Sequence, residues 1–272
     1  METARAPVPT EAAAATTGTL VESCEPSAMS PWNGGLLVGD NEVGTKLFAF
    51  DLDLSPRAPL PLPVDVQDIE ALATWGSTLV VVGSHSRNKE GKPRPGRERI
   101  LLLGDEARLL PLDLAACPGC AAARSLAPNE GGFNIEGALV IGGALVLGLR
   151  GPLAAGKAQL LSVDLTSGAV TGVVTADLGG EAFRELVPWK AGFLAVSGPV
   201  GDPPPGQAPG HHLWWFPALG APPERLAADL PTSTEAIYPL SPSEVLYLVD
   251  GDGKAGACAT PGTHGRLRVT LP

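Results

Sequence analysis

Glutamates that recur in one short phrase are the groups best suited to chemistry. Glu70 stands in Asp68-Ile69-Glu70-Ala71-Leu72, Glu136 in Asn134-Ile135-Glu136-Gly137-Ala138, and Glu235 in Thr234-Glu235-Ala236-Ile237. Hard carboxylate oxygens around one axis suit calcium, so Glu70, Glu136, Glu235 and Asp68 are candidate metal ligands. Another copy, Phe183-Arg184-Glu185-Leu186, puts an arginine where the others put glutamate. Arg184, with Arg150 of Gly148-Leu149-Arg150-Gly151-Pro152, offers planar forks for a carboxylate or phosphate-like anion. His85 of Gly83-Ser84-His85-Ser86-Arg87 has an unperturbed pKa near neutrality and is the candidate acid or base. The chemistry expected is metal-assisted ester or phosphoester hydrolysis, with His85, Arg150 and Arg184 in catalytic roles. Two readings compete with it. The charges can pair, Glu136 with Arg184 for example, and hold neighbouring segments together. The protein can also be a non-catalytic interaction or sensor module that grips a peptide.

The elements that must position these groups follow from the spacing. Each phrase opens a strand, a second strand follows at once, and a weaker copy at Ser27-Ala28-Met29 makes five. Runs such as Val80-Val81-Val82 and Leu101-Leu102-Leu103 suit strands buried on both faces. About four strands in roughly 40 to 50 residues is the unit of a β-propeller. The expected fold is all-β, a single propeller of five blades over 18–272, six being the alternative count and a β-sandwich the alternative architecture. The fifth copy lacks a fourth strand, which 19–21 can supply by pairing with 266–270, closing the ring. In a blade, the start of the first strand and the end of the second share a face. The ring Ser27, Glu70, Glu136, Arg184 and Glu235 therefore meets Asp40, Glu42, His85, Arg87, Arg150 and Asp250 at one mouth, with Asn134 beside them. The long loops 86–98, 198–210 and 251–265 gather on this face, where binding usually lives. The stretch 55–64, rich in proline, reads as a connector, and no amphipathic helix of useful length is evident.

Composition narrows the partners. The chain has 272 residues, 44% hydrophobic, with a formal charge of −10, which disfavours nucleic acid. No apolar run reaches the roughly 18 residues of a membrane helix. Residues 1–17 read as a disordered tail without the layout of a signal peptide, which favours the cytoplasm over an extracytoplasmic location without fixing the compartment; separately, a monomer is expected. Cys117-Pro118-Gly119-Cys120 lacks a second close cysteine pair, and reads as a loop clip or free thiols, with metal and redox roles as alternatives. Asp250-Gly251-Asp252-Gly253 reads as a turn: Lys254 stands where a calcium loop needs a ligand.

The phrases D-I-E-A-L, G-S-H-S-R, N-I-E-G and G-L-R-G-P, with the acidic turn Gly39-Asp40-Asn41-Glu42, resemble the bacterial domain-of-unknown-function family thirty-six sixteen over residues 24–250. The family phrase continues with glycine where Ala71 stands. The resemblance implies a propeller-like fold and no established activity. More distantly, the glutamate-opened strands are similar to those of calcium-dependent, phytase-like esterase propellers.

Overall fold

The computed structural model describes residues 17–201, 210–254 and 257–272. The strands are β1 (Thr17–Thr19), β2 (Pro26–Trp32), β3 (Gly35–Asp40), β4 (Val43–Phe50), β5 (Pro56–Pro61), β6 (Ile69–Trp75), β7 (Thr78–Gly83), β8 (Ile100–Leu103) and β9 (Ala107–Leu110). After a short helix α1 (Pro118–Ala123) come β10 (Asn134–Ile141), β11 (Ala144–Gly151), β12 (Ala158–Asp164), β13 (Val170–Ala176), β14 (Ala182–Trp189), β15 (Gly192–Gly198), β16 (His211–Phe216) and β17 (Glu224–Leu230). The last are β18 (Thr234–Ser241), β19 (Glu244–Val249), β20 (Asp252–Lys254), β21 (Ala257–Thr260) and β22 (Thr263–Arg268).

They form five antiparallel four-stranded sheets, the blades of a propeller: β2 to β5, β6 to β9, β10 to β13, β14 to β17, and β18-β19-β22-β1. Why the sheets close on one another is legible in the second strands. In β7, Val80 and Val82 enter one apolar cluster with Leu145 and Leu147 of the next blade. Leu79 and Val81 enter another with Leu37 and Leu47 of the preceding blade. Side chains alternate across a strand, so a continuous apolar run feeds two wedges at once. Five such clusters fill the five gaps between blades, which decides the count at five.

Ring closure differs in detail from expectation. The closing strand is Thr17–Thr19, not 19–21, and Thr17 pairs with Gly265, Thr19 with Thr263. Leu20 follows the last paired residue; its amide donates to the Gly262 carbonyl at 2.8 Å, and its side chain, 1% exposed, fills the wedge between the last and first blades. The tail expected over 1–17 lies, apart from Thr17, outside the described residues. The proline-rich connector is instead β5, the exposed outermost strand of its blade, where a residue without an N–H is tolerated. Within 251–265, β20 and β21 make a hairpin, and the blade strand resumes at Thr263, earlier than expected. The link from β9 to β10 contains α1, which carries Cys120, disulfide-bonded to Cys117; both are buried in the adjoining wedge. That is the loop clip. A second disulfide, Cys24–Cys258, ties the hairpin to the segment before β2. Among the described residues, no helix is long and apolar enough to cross a membrane.

The closure makes a direct prediction. Leu20→Ala should lower the unfolding free energy by about 2–4 kcal/mol in urea titrations, as expected for a buried leucine in a wedge that cannot collapse. A change below about 0.5 kcal/mol would show that the segment does not close the ring.

Candidate functional site

The aligned phrase residues share one backbone feature. In each blade's first strand the ladder to the second strand skips a residue: Ser27, Glu70, Glu136, Arg184 and Glu235. These are β-bulges, which free a side chain from the pleat and re-aim it. Arg150 is skipped in the same way where β11 faces β10. Repetition of the bulge brings residues from every blade to one end of the central channel, under a mouth of about 560 Å³. Asp68, Glu70, Asn134, Glu136 and Arg150 line it, with Glu42 and Arg87 at its wall.

Arg184 organises the floor. It is 6% exposed. Its Nη1 donates to Glu136 Oε2 at 2.9 Å and to both Glu235 oxygens at 3.3 and 3.4 Å, and its Nη2 to the Pro199 carbonyl at 3.0 Å. Glu136, 2% exposed, also accepts at Oε1 from Arg150 Nη1 at 3.0 Å and from Asn134 Nδ2 at 2.8 Å. Arg150 Nε donates to the Val200 carbonyl at 3.0 Å, so the arginine is held from two sides. Burial opposes ionisation of Glu136, but Arg184 and Arg150 outweigh it and hold its carboxyl below the usual range. Burial raises the Glu235 carboxyl, although Arg184 opposes the rise.

Glu70 is the exception. It has no hydrogen bond or ion pair to another described residue. Burial first, then the charges of Glu136, Asp68 and Glu235, push its carboxyl well above the usual carboxylate range; Arg150 opposes them. Asp68, itself raised by burial, pairs with Arg97 Nη1 at 3.0 Å. Two amide oxygens at the mouth, Asn134 Oδ1 and Asn41 Oδ1, are buried without a partner.

Other expected site residues are placed elsewhere or engaged. His85 is buried and does not line the mouth. Its Nδ1 lies 2.9 Å from the Gly83 carbonyl, and burial lowers its pKa to about 4, leaving it neutral near pH 7. Asp40 caps the backbone amides of Cys24, Glu25 and Glu42 and the Ser23 hydroxyl, a structural turn. Arg87 donates to the carbonyls of Arg124 and Gly91, at 2.6 and 2.9 Å. Asp250 sits apart from the mouth lining, its pKa raised to about 8 by burial and by Glu25 and Glu235. Among the described residues, no group of three or more His, Cys, Asp or Glu is arranged to hold a metal ion. The three glutamates expected to do so are divided: Glu136 and Glu235 engage arginines, and Glu70 stands alone.

One group escaped the sequence reading. Glu185 follows the bulge where the other blades carry Ala28, Ala71, Gly137 and Ala236. It is 0% exposed. It accepts the Leu186 amide at 2.8 Å, while Oε2 has no partner; the Met29 backbone of the first blade is near enough to favour its ionised form. Burial pushes its carboxyl well above the usual range, those backbone groups opposing. The signal was a glutamate in an otherwise Ala/Gly column. Gly137 is required beside it, since a Cβ there would approach Leu186 Cγ to 2.8 Å.

Comparison with known proteins agrees with this architecture. Residues 113–186 match the model of a family described as protein of unknown function (DUF3616). This stretch, shorter than the 24–250 expected, includes Glu136, Arg150 and Arg184. Curated proteins give no match. Among solved structures the chain is similar to Bacteroides ovatus Xyloglucan PUL GH43B, at 10% identity and TM-score 0.52, covering 86% of this chain and 50% of that one. The chain thus spans half the length of that protein, and the likeness is one of fold. Further similar structures are the Dos1 propeller, at 14% identity, TM-score 0.38 and coverage of 79% and 50%, and virginiamycin B lyase from Staphylococcus aureus, at 10%, 0.42, 86% and 81%.

Two predictions test the floor. Glu136→Gln should cost about 3 kcal/mol of stability, because Arg184 and Arg150 both lose a charged partner. Urea titration measures it, and an unchanged midpoint would mean the network contributes nothing. Glu185 titrates with the opposite sign to a salt-bridged acid. Its folded pKa is raised, so the native state binds more protons above the unfolded pKa of about 4.3, and stability falls as pH rises from there through the folded value. Glu185→Gln should remove that component, making the variant more stable than wild type at pH 8 but not at pH 4. Parallel pH profiles for the two proteins would refute the assignment.

Proposed function

We propose that the mouth binds an anionic small molecule that also carries hydroxyl groups. The observation carrying this reading is the unpaired Glu70 beside the Glu136–Arg150 pair, on the wall of an open polar cavity. Three glutamates against two arginines leave one excess negative charge on the floor, and a proton on Glu70 removes it. The floor then accepts an anion without repelling it. Arg150, anchored through Nε and Nη1, presents a fixed guanidinium edge suited to a carboxylate or phosphate. Asn41 and Asn129 line the same cavity and offer amide groups to hydroxyls. A protonated Glu70 is also placed as a general acid, so hydrolysis of an ester or phosphoester is the reaction class to examine. Calcium, to bind here through the three glutamates, must take Glu136 and Glu235 from Arg184. It therefore enters as a titrant in the test and not as a step in the chemistry.

Calorimetric titration with phosphate and gluconate, with and without calcium, tests the reading alongside turnover of a panel of esters and phosphoesters. Arg150→Lys should weaken anion binding about tenfold, a cost of about 1.4 kcal/mol. Affinity should fall as pH rises and Glu70 ionises, and Glu70→Gln should abolish that fall while retaining binding near neutrality. Absence of anion binding, or indifference to both substitutions, would leave the interaction propeller as the better account.

A further inference from the structure

The far end of the channel is chemically unlike the mouth. The five innermost strands run down from their bulges and converge on a second cavity of about 350 Å³. Met29, Leu72, Leu139, Leu186, Trp189 and Tyr238 supply its apolar wall, so every blade contributes. No charged side chain lines it, and it shares no lining residue with the mouth. Glu185, fully buried and lining neither end, accepts the amide of Leu186, a residue of this cavity's wall. The polar groups available are the hydroxyls of Ser30, Thr74 and Tyr238, which make no hydrogen bond to another described residue.

Three features select the occupant. The volume lies at the lower end of the roughly 300–1,000 Å³ of small-molecule sites, which are mostly apolar with a few placed polar groups. The absence of lining charge disfavours an ion. The exposed inner edges carry Pro31, Pro188 and Pro239, on three of the five blades. A proline on an edge strand has no N–H to offer, so an extended peptide cannot add itself there as a strand. We propose that this cavity binds a compact, uncharged, largely apolar small molecule with a ring that lies against Trp189 and Tyr238 and one hydroxyl or carbonyl that meets Ser30 or Thr74. This site does not depend on the reading of the mouth.

Nile red, which is uncharged and carries a carbonyl, is the probe. Its fluorescence should rise saturably on titration into the full chain, at one site per molecule. Thr74→Trp, which fills the cavity from its rim, and Tyr238→Arg, which brings a charge into it, should each weaken binding at least tenfold. Trp75→Ala, which removes a 43% exposed ring from outside the cavity, should not change it. Urea midpoints identify which variants are folded, and either folded rim variant is sufficient to decide. Non-saturable binding, wild-type affinity in a folded rim variant, or loss in Trp75→Ala would overturn the proposal. A sedimentation result showing a dimer that the rim substitutions dissociate would overturn it too, assigning the surface to a contact between copies.

Discussion

A guanidinium that is 6% exposed must be compensated, and the centre of this protein is built around that requirement at Arg184. Its partners, Glu136 and Glu235, come from the blades on either side of its own, so one desolvated charge joins three consecutive blades. The same pairing explains the electrostatics of the mouth. Because Glu136 is held ionised by two arginines, its charge bears on Glu70, which has no ion-pair partner of its own and whose carboxyl is pushed above the usual range. The ring residues are thus in different situations: Glu136, Arg184 and Glu235 pair across blades, while Glu70 faces the cavity without an ion pair.

The backbone makes this division available. A bulge repeated in five first strands gives each blade one side chain released from the ladder, and the pairing on either side of it keeps the wedge cores intact. Substitution at a bulge position can therefore alter the mouth's chemistry without moving apolar side chains. Position Glu185 obeys the contrary rule. It lies one step further along, in a column otherwise of alanine and glycine, and its carboxyl is fully buried. Burial pushes the carboxyl toward its protonated form, and the Leu186 amide satisfies one of its oxygens.

Much of the fold was legible because its physics is local. Alternation and continuous apolar runs mark strands, the phrase recurs at blade spacing, and strand direction places phrase openings and second-strand endings on one face. Errors fell where local signals mislead. Prolines in β5 look like a connector until the strand is known to be outermost, where a missing N–H costs nothing. The closing strand lies two residues earlier than the sequence suggested, because Leu20 is the residue whose side chain fills the wedge.

What the sequence determined by itself was the register: which residue stands at the head of each blade, each at the bulge of its first strand. The partners of those residues were decided only by the tertiary structure. Glu70, Glu136 and Glu235 are interchangeable as letters in a phrase, yet one is unpaired, one is clamped by two arginines and one shares Arg184 with its neighbour. Blade order around the axis, and the depth at which each carboxyl meets low dielectric, make that difference. Both are properties of the closed ring, and neither exists in a single repeat.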